Sequence, residues 1–392
     1  MKLSHVLLLG TSFLAFGSSS DAQGDLKLEN ANAAVVGAFE THDIVMFGEF
    51  HGNKQEYAWL RSLVATPEFA DLVDDIVMEM GNSLYQKSVD RYVSGEDVPL
   101  EQVQKAWLNT VGVVGPPSPV TASLYEAVRE ENLKRRGKHQ IRILCGDPYI
   151  DWEKVKEKGD IGPYLANRDQ WFTQVVKDEV LAKHHRALLI MGWGHFARVL
   201  PFPRRFSIEQ ELQAAGAKTY LIIVGTNTPG GYDDLDHRFD SWPVPVIVSL
   251  AGNWVGELPA MSILSGGGAE GYQWMISSAP NSAASPPPPV KLREVADALL
   301  YLGPRDSLTS VNMTRSELDG TPYGKEIERR LVIEGFPADV AAQLESANSE
   351  TPQFSRPKAA PPPPPTPPST PPSAPPPKNM GPPPLPPRPP SQ

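Results

Sequence analysis

Five apolar runs of strand length recur along the chain: DIVMFG (43–48), DIVMEM (75–80), IRILCG (141–146), ALLIMG (187–192) and TYLIIVG (219–225). Each is continuous rather than alternating, the pattern of a strand buried on both faces of a parallel sheet. Between them the apolar positions follow a helical period. QEYAWLRSLV puts Tyr57, Leu60, Leu63 and Val64 on one face, and NRDQWFTQVVKDEVLAKH spaces Trp171, Val175 and Val180 in the same way. SLYEAVREENLKRRG closes on Gly137, a normal helix stop. Strand alternating with helix predicts an α/β fold, a mostly parallel sheet with helices on both faces. VPVIVSL (244–250) is a sixth strand candidate. Further on, KLREVADALLYLG and GKEIERRLVIEGF read as extra C-terminal helices, the first with Leu292, Val295, Leu299 and Leu302 near helical spacing.

The two ends differ from this body. Lys2, the apolar stretch Val6 to Gly17 and the small residues before Ala22 have the pattern of a secretory signal, too short for the ~20 residues that span a bilayer. Residues 352–392 hold 21 of the 42 prolines and no acidic residue, the composition of a disordered, polyproline II-favouring tail. Fully extended at ~3.1 Å per residue, it would reach on the order of 120 Å. Its PPLPPRPP resembles a ligand of SH3-type domains, and a spacer that contacts the cell envelope or a partner protein is the expected role. The organisation read from the sequence is a signal peptide at 1–22, an α/β domain at 23–278, a proline-rich linker at 279–289, a helical segment packing on the domain at 290–351, and the tail. No later stretch has the length and apolarity of a transmembrane segment.

Charge narrows the partners. The formal net charge is −10 and the tail contributes +4, so the remainder carries −14, which excludes nucleic acid as the expected partner. The single cysteine, Cys145, has no internal disulfide partner and lies inside an apolar run, as a small core residue does. Export without disulfides fits a bacterial periplasm or the extracellular medium.

In open parallel sheets ligands bind outside the carboxyl ends of the strands. That rule selects Glu49 and His51 in FGEFHG, Glu79 in VMEMGN, Asp147 in CGDP, and His195 in GWGHF. His42, His139, His184 and His185 precede strands and fall on the opposite edge. Glu79 also suits a helix cap, and Asp147 before a proline suits an ordinary turn. Two chemistries suit the selected set. Imidazoles and carboxylates make a mixed site for zinc, manganese or iron, with His51, Glu79 and His195 as ligands and a bound water as nucleophile. Alternatively a glutamate orients a histidine that acts as general base, with no metal. No G-x-S-x-G elbow, Walker loop, H-E-x-x-H or C-x-x-C occurs.

GEFHG, VMEMGNSLYQKSVDRYVSGE, NRDQWF and GWGHFARVLPFP resemble the superfamily that joins ChaN-like proteins, the Tiki/TraB proteins and erythromycin esterases. The paired G-x-x-H motifs are similar to the Tiki pattern, in which two histidines and a glutamate form the active centre. By that match His51, Glu79 and His195 take those places, and Arg168 takes that of the arginine in the helix before the second motif. GE followed by HG resembles the esterases, with a spacing one residue shorter. EM…Q with YVSGE is closer to the ChaN-like branch. The resemblance covers roughly residues 40–225. It implies an exported hydrolase of a peptide, ester or lactone bond, with Glu49, His51, Glu79, Arg168 and His195 as catalytic residues and a small-molecule or peptide substrate. The alternative it implies is a periplasmic haem- or iron-binding protein.

Overall fold

The computed structural model describes residues 26–111, 118–199, 206–225, 238–264, 290–304, 307–335 and 350–352. The signal segment, the linker at 279–289 and the tail beyond Pro352 lie outside the described residues.

The strands are β1 (Leu28–Asn30), β2 (Ile44–Glu49), β3 (Asp75–Asn82), β4 (Arg142–Asp147), β5 (Ala187–Gly192), β6 (Thr219–Gly225), β7 (Val246–Ser249) and β8 (Ala298–Tyr301). They form one sheet in the order β1-β7-β8-β6-β2-β5-β3-β4. The pairs from β8 through β4 are parallel, and β7 runs antiparallel to both β8 and β1. All six expected strands are therefore present, in an α/β fold with a mostly parallel sheet.

Each apolar run is continuous because successive side chains enter different cores. In β2, Val45 and Phe47 join one cluster with Tyr57, Leu60 and Leu63 of the helix Lys54–Val64. Ile44 and Met46 join the other, with Phe172 and Val176 of the helix Arg168–Glu179. A strand covered by helices on both faces leaves no position for a polar residue until it ends.

One element departs from the sequence expectation. KLREVADALLYLG is not a continuous helix: Leu292–Val295 makes a single helical turn, and Ala298–Tyr301 is β8, between β6 and β7. The segment 290–351 thus enters the sheet itself instead of only packing on it as helices. The reason lies in burial. All four residues of β8 are buried, with Ala298 and Leu300 in one core and Leu299 and Tyr301 in the other. A helix presents one face to a core, whereas ALLY needs cover on two. The second expected helix is present as Pro322–Glu334, capped by the Thr321 hydroxyl and closed by Gly335 at φ +93°.

β5 lies between β2 and β3, so the chain order reverses at that point of the sheet. The crevice outside such a reversal is where open α/β sheets place ligands. The histidines on the other edge have structural partners: His185 Nδ1 pairs with buried Asp75 at 2.7 Å, and His139 Nε2 meets the Val73 carbonyl at 3.0 Å.

Because β8 is a central strand, Leu300→Ala should destabilise the whole domain by about 2–5 kcal/mol. The shift of the urea midpoint measures this, and an unchanged midpoint would contradict the sheet order.

Candidate active site

β2 ends in Glu49, and the next four residues turn into the helix Lys54–Val64. The turn is tightly specified. Asn53 caps the helix by accepting from the Glu56 amide at 2.9 Å, and the buried Glu56 carboxylate reaches back to the Phe50 amide at 3.0 Å. This satisfies amides that a helix start leaves open. Gly52 takes φ +78°, a conformation that side chains oppose, and its carbonyl accepts from Val311. His51 rides on this turn, and its Nδ1 donates to Glu49 Oε1 at 3.0 Å.

β3 supplies Glu79 from inside the strand. Its pairing with β5 ends at Met78, and its register with β4 shifts between Met78 and Asn82. Such irregularities re-aim side chains, and here Glu79 crosses the end of β5 to accept from the Gly192 amide at 2.6 Å. Glycine at 192 leaves room for close approach: a Cβ there would lie 3.1 Å from His51 Nε2.

Arg168, the first residue of its helix, fastens Glu79 from the other side. Its Nη1 lies 2.7 Å from Glu79 Oε1 and its Nε donates to Asp147 Oδ1 at 2.5 Å. Asp147, at the end of β4, also accepts from the Val111 amide. Asp147 therefore serves to hold Arg168.

After β5, the short helix Trp193–Phe196 carries His195. Its Nδ1 donates to Asp169 Oδ1 at 2.6 Å, and its Nε2 lies 3.7 Å from Glu79 Oε1. His51 Nε2 lies 3.7 Å from the other oxygen, Oε2. Each histidine is thus backed by a carboxylate on Nδ1 and turns Nε2 toward one oxygen of Glu79. A carboxylate only accepts, so both Nδ1 atoms carry the proton.

The structure brings together Glu49, His51, Glu79, Arg168 and His195. It adds Asp169, which the sequence reading passed over. An acidic residue in the first turn of a helix is usual for dipole reasons, and nothing in NRDQWF pairs it with a histidine 26 positions later. The one available signal is its place beside Arg168.

Burial alone would raise the Glu79 pKa, but Arg168, His51, His195 and the Gly192 amide lower it to about 2. The carboxylate is ionised throughout the neutral range. For His51 burial lowers the pKa, yet Glu79 and Glu49 outweigh it and raise the value from 6.5 to about 9. Its side chain keeps 48% of its surface exposed, so the two carboxylates rather than desolvation set the direction. The Tyr57 hydroxyl, pushed up by burial and by the Glu49 charge, stays neutral.

Two buried polar atoms, Glu49 Oε2 and Arg168 Nη2, make no hydrogen bond among the described residues, and Glu79 Oε1 is held by its ion pair with Arg168 Nη1. Buried polar atoms are rarely left so, and two in one centre indicate a place for a ligand. Glu49, His51 and Glu79 each offer a donor atom within 4.8 Å of the others; His195 lies outside that group. Oxygen and imidazole donors of this kind fit zinc, manganese or iron.

No protein-family model matches the sequence, and no curated protein matches it. Solved structures similar to this chain include two of the kinds that its motifs resemble. The erythromycin esterase EreC, as a histidine variant in its open conformation, is 11% identical, covers 69% of this chain and 93% of its own, and gives a TM-score of 0.40. ChaN of Campylobacter jejuni, described with cofacial haem binding, is 11% identical over 49% of this chain and 85% of its own, with a TM-score of 0.30. A Bacillus cereus protein is 11% identical over 69% and 90%, with a TM-score of 0.38. At such identity and scores these likenesses carry no chemistry to this chain, and the reading below rests on its own side chains.

In protein freed of metal by chelation, the His51 ring protons should titrate near pH 9, with the imidazolium present below that value and lost above it. Glu49→Gln removes the hydrogen-bonded carboxylate and should lower that midpoint. A His51 midpoint at or below 6.5 in the unaltered protein, measured by NMR, would overturn the electrostatic account.

Proposed function

We propose that this chain is an exported hydrolase that cleaves an acyl bond, in an ester, lactone or peptide, at the centre around Glu79. The observation that carries this reading is the pair of carboxylate-backed histidines whose Nε2 atoms lie 3.7 Å from opposite oxygens of one buried glutamate.

His51, held protonated by Glu49 and Glu79, is the proton donor. His195, oriented by Asp169, is the acceptor. A water beside His195 gives its proton to Nε2 as its oxygen attacks the acyl carbon. Arg168 Nη2, buried and unpaired, is the donor for the developing oxyanion. His51 passes its Nε2 proton to the leaving oxygen or nitrogen as the carbon–heteroatom bond breaks. Glu79 keeps Arg168 and both rings in register through all of this.

A divalent metal, if bound, would be held by His51 and Glu79 with Glu49 beside them, and would supply Lewis-acid activation of water. Since His51 binds a proton up to about pH 9, metal and proton compete for its Nε2. The N-terminal pattern of Lys2, an apolar stretch and small residues supports export.

Asp169→Asn and His195→Ala should each lower kcat by about 10²-fold or more on a carboxylic ester substrate, with the near-ultraviolet dichroism unchanged. Metal content is measured on the same samples. Absence of hydrolysis on an ester, lactone and peptide panel, together with a strong visible band on haem titration of the unaltered protein, would replace this reading with that of a haem-binding protein.

A further inference from the structure

Away from this centre, a cleft of about 340 Å³ lies where the helix Pro322–Glu334 meets residues 100–109 and the loop at 151–153. Its apolar surface comes from half-buried Tyr85, Leu108 and Tyr323, with exposed Pro322 at the edge. Beneath these, Arg330 is fully engaged: Nε bonds Glu326, Nη1 bonds the Leu108 carbonyl, Nη2 bonds Asn109, and its guanidinium stacks 4.4 Å over Trp152. The floor is thus rigid. The rim carries two free acids. Glu101 and Glu153 are exposed and have no ion-pair partner among the described residues, whereas Asp151 pairs with Lys154, Glu326 pairs with Arg329 and Arg330, and Lys105 stands at the same edge. The Tyr85 hydroxyl accepts from Asn109 Nδ2 at 3.2 Å, and its own hydrogen has no acceptor among the described residues.

Aromatic side chains with a free hydroxyl donor and flanking carboxylates are the chemistry that recognises a basic polyproline II segment: rings pack on proline rings, donors meet the exposed carbonyls, and acids meet an arginine. This chain contains such a segment. Residues 353–392 hold 20 prolines, four basic residues and no acidic one, and 383–390 read PPLPPRPP with Arg388 inside the proline run.

We propose that the cleft is the docking site for the chain's own segment 383–390, with prolines on Tyr85 and Tyr323 and Arg388 facing Glu101 and Glu153. Geometry permits it in one molecule. The last described strand, β10 (Glu350–Pro352), pairs with β9 (Thr309–Val311) so that Pro352 lies opposite Thr309, thirteen residues from Pro322. Those thirteen residues span at most ~47 Å. The 31 residues from Pro352 to Pro383 would span up to ~95 Å if extended. Tethering therefore converts a weak contact into an intramolecular one.

Disulfide trapping on the full chain tests this. Lys105→Cys, at the exposed edge of the cleft, is combined with Leu385→Cys, and a control combines Leu385→Cys with Glu68→Cys on an exposed helix outside the cleft. The native thiol, Cys145, is buried and stays out of the reaction. Docking predicts that the Lys105 pair closes at least about tenfold faster than the control at micromolar protein, and within one molecule. Adding Glu101→Gln and Glu153→Gln should slow it about fivefold, the scale of two exposed charge pairs. Equal rates for the two pairs would overturn the proposal. Disulfides formed mainly between molecules would overturn the single-chain form and assign the cleft to a second copy.

Discussion

The contact on which the centre depends is the ion pair between Glu79 and Arg168. Both side chains are buried, and taking two charges out of water is costly unless geometry and further hydrogen bonds compensate. Here the compensation is distributed: Asp147 takes Arg168 Nε, the Gly192 amide takes Glu79 Oε2, and His51 and His195 stand at either oxygen. The compensating groups come from the ends of three strands, β2, β4 and β5, so the pair ties these, β3 and the helix Arg168–Glu179 to a single point. The same pair keeps Glu79 ionised, and the ionised carboxylate keeps His51 protonated. Stability and chemistry therefore draw on one arrangement.

That arrangement in turn rests on topology. β5 lies between β2 and β3, which sets His195 between the segments carrying His51 and Glu79. The absence of a Cβ at Gly192 lets the imidazole and the carboxylate approach over the strand end. The C-terminal segment contributes twice. β8 completes the sheet beside β6, and β9 braces the turn that bears His51 through the Val311 amide to Gly52 and through Gln55 to Thr309. A segment that reads as helices packed on a finished domain is instead part of what holds the site's turn in place.

The two places where sequence reasoning fell short have different physical causes. At 298–301, Leu292, Val295, Leu299 and Leu302 do repeat near helical spacing, but four consecutive buried residues satisfy a two-faced strand equally well, and only the space between β6 and β7 settles which is formed. At Asp169 the residue type was ordinary for its position in a helix. Its role arises because the helix start lies against the end of β5, a contact between segments that the chain order does not place together.

By itself the sequence determined six of the sheet's eight strands, through runs of apolar residues buried on two faces, and it determined which polar residues stand at their carboxyl ends, because a strand tolerates charge only where it leaves the core. It could not determine partnership. That Glu49 backs His51, that Asp169 backs His195, and that Arg168 spans Glu79 and Asp147 follow from strand order and the register shift in β3, which set distances between residues up to 116 positions apart. Hydrogen bonds and ion pairs act over a few ångströms, so their partners are decided only when tertiary packing closes those separations.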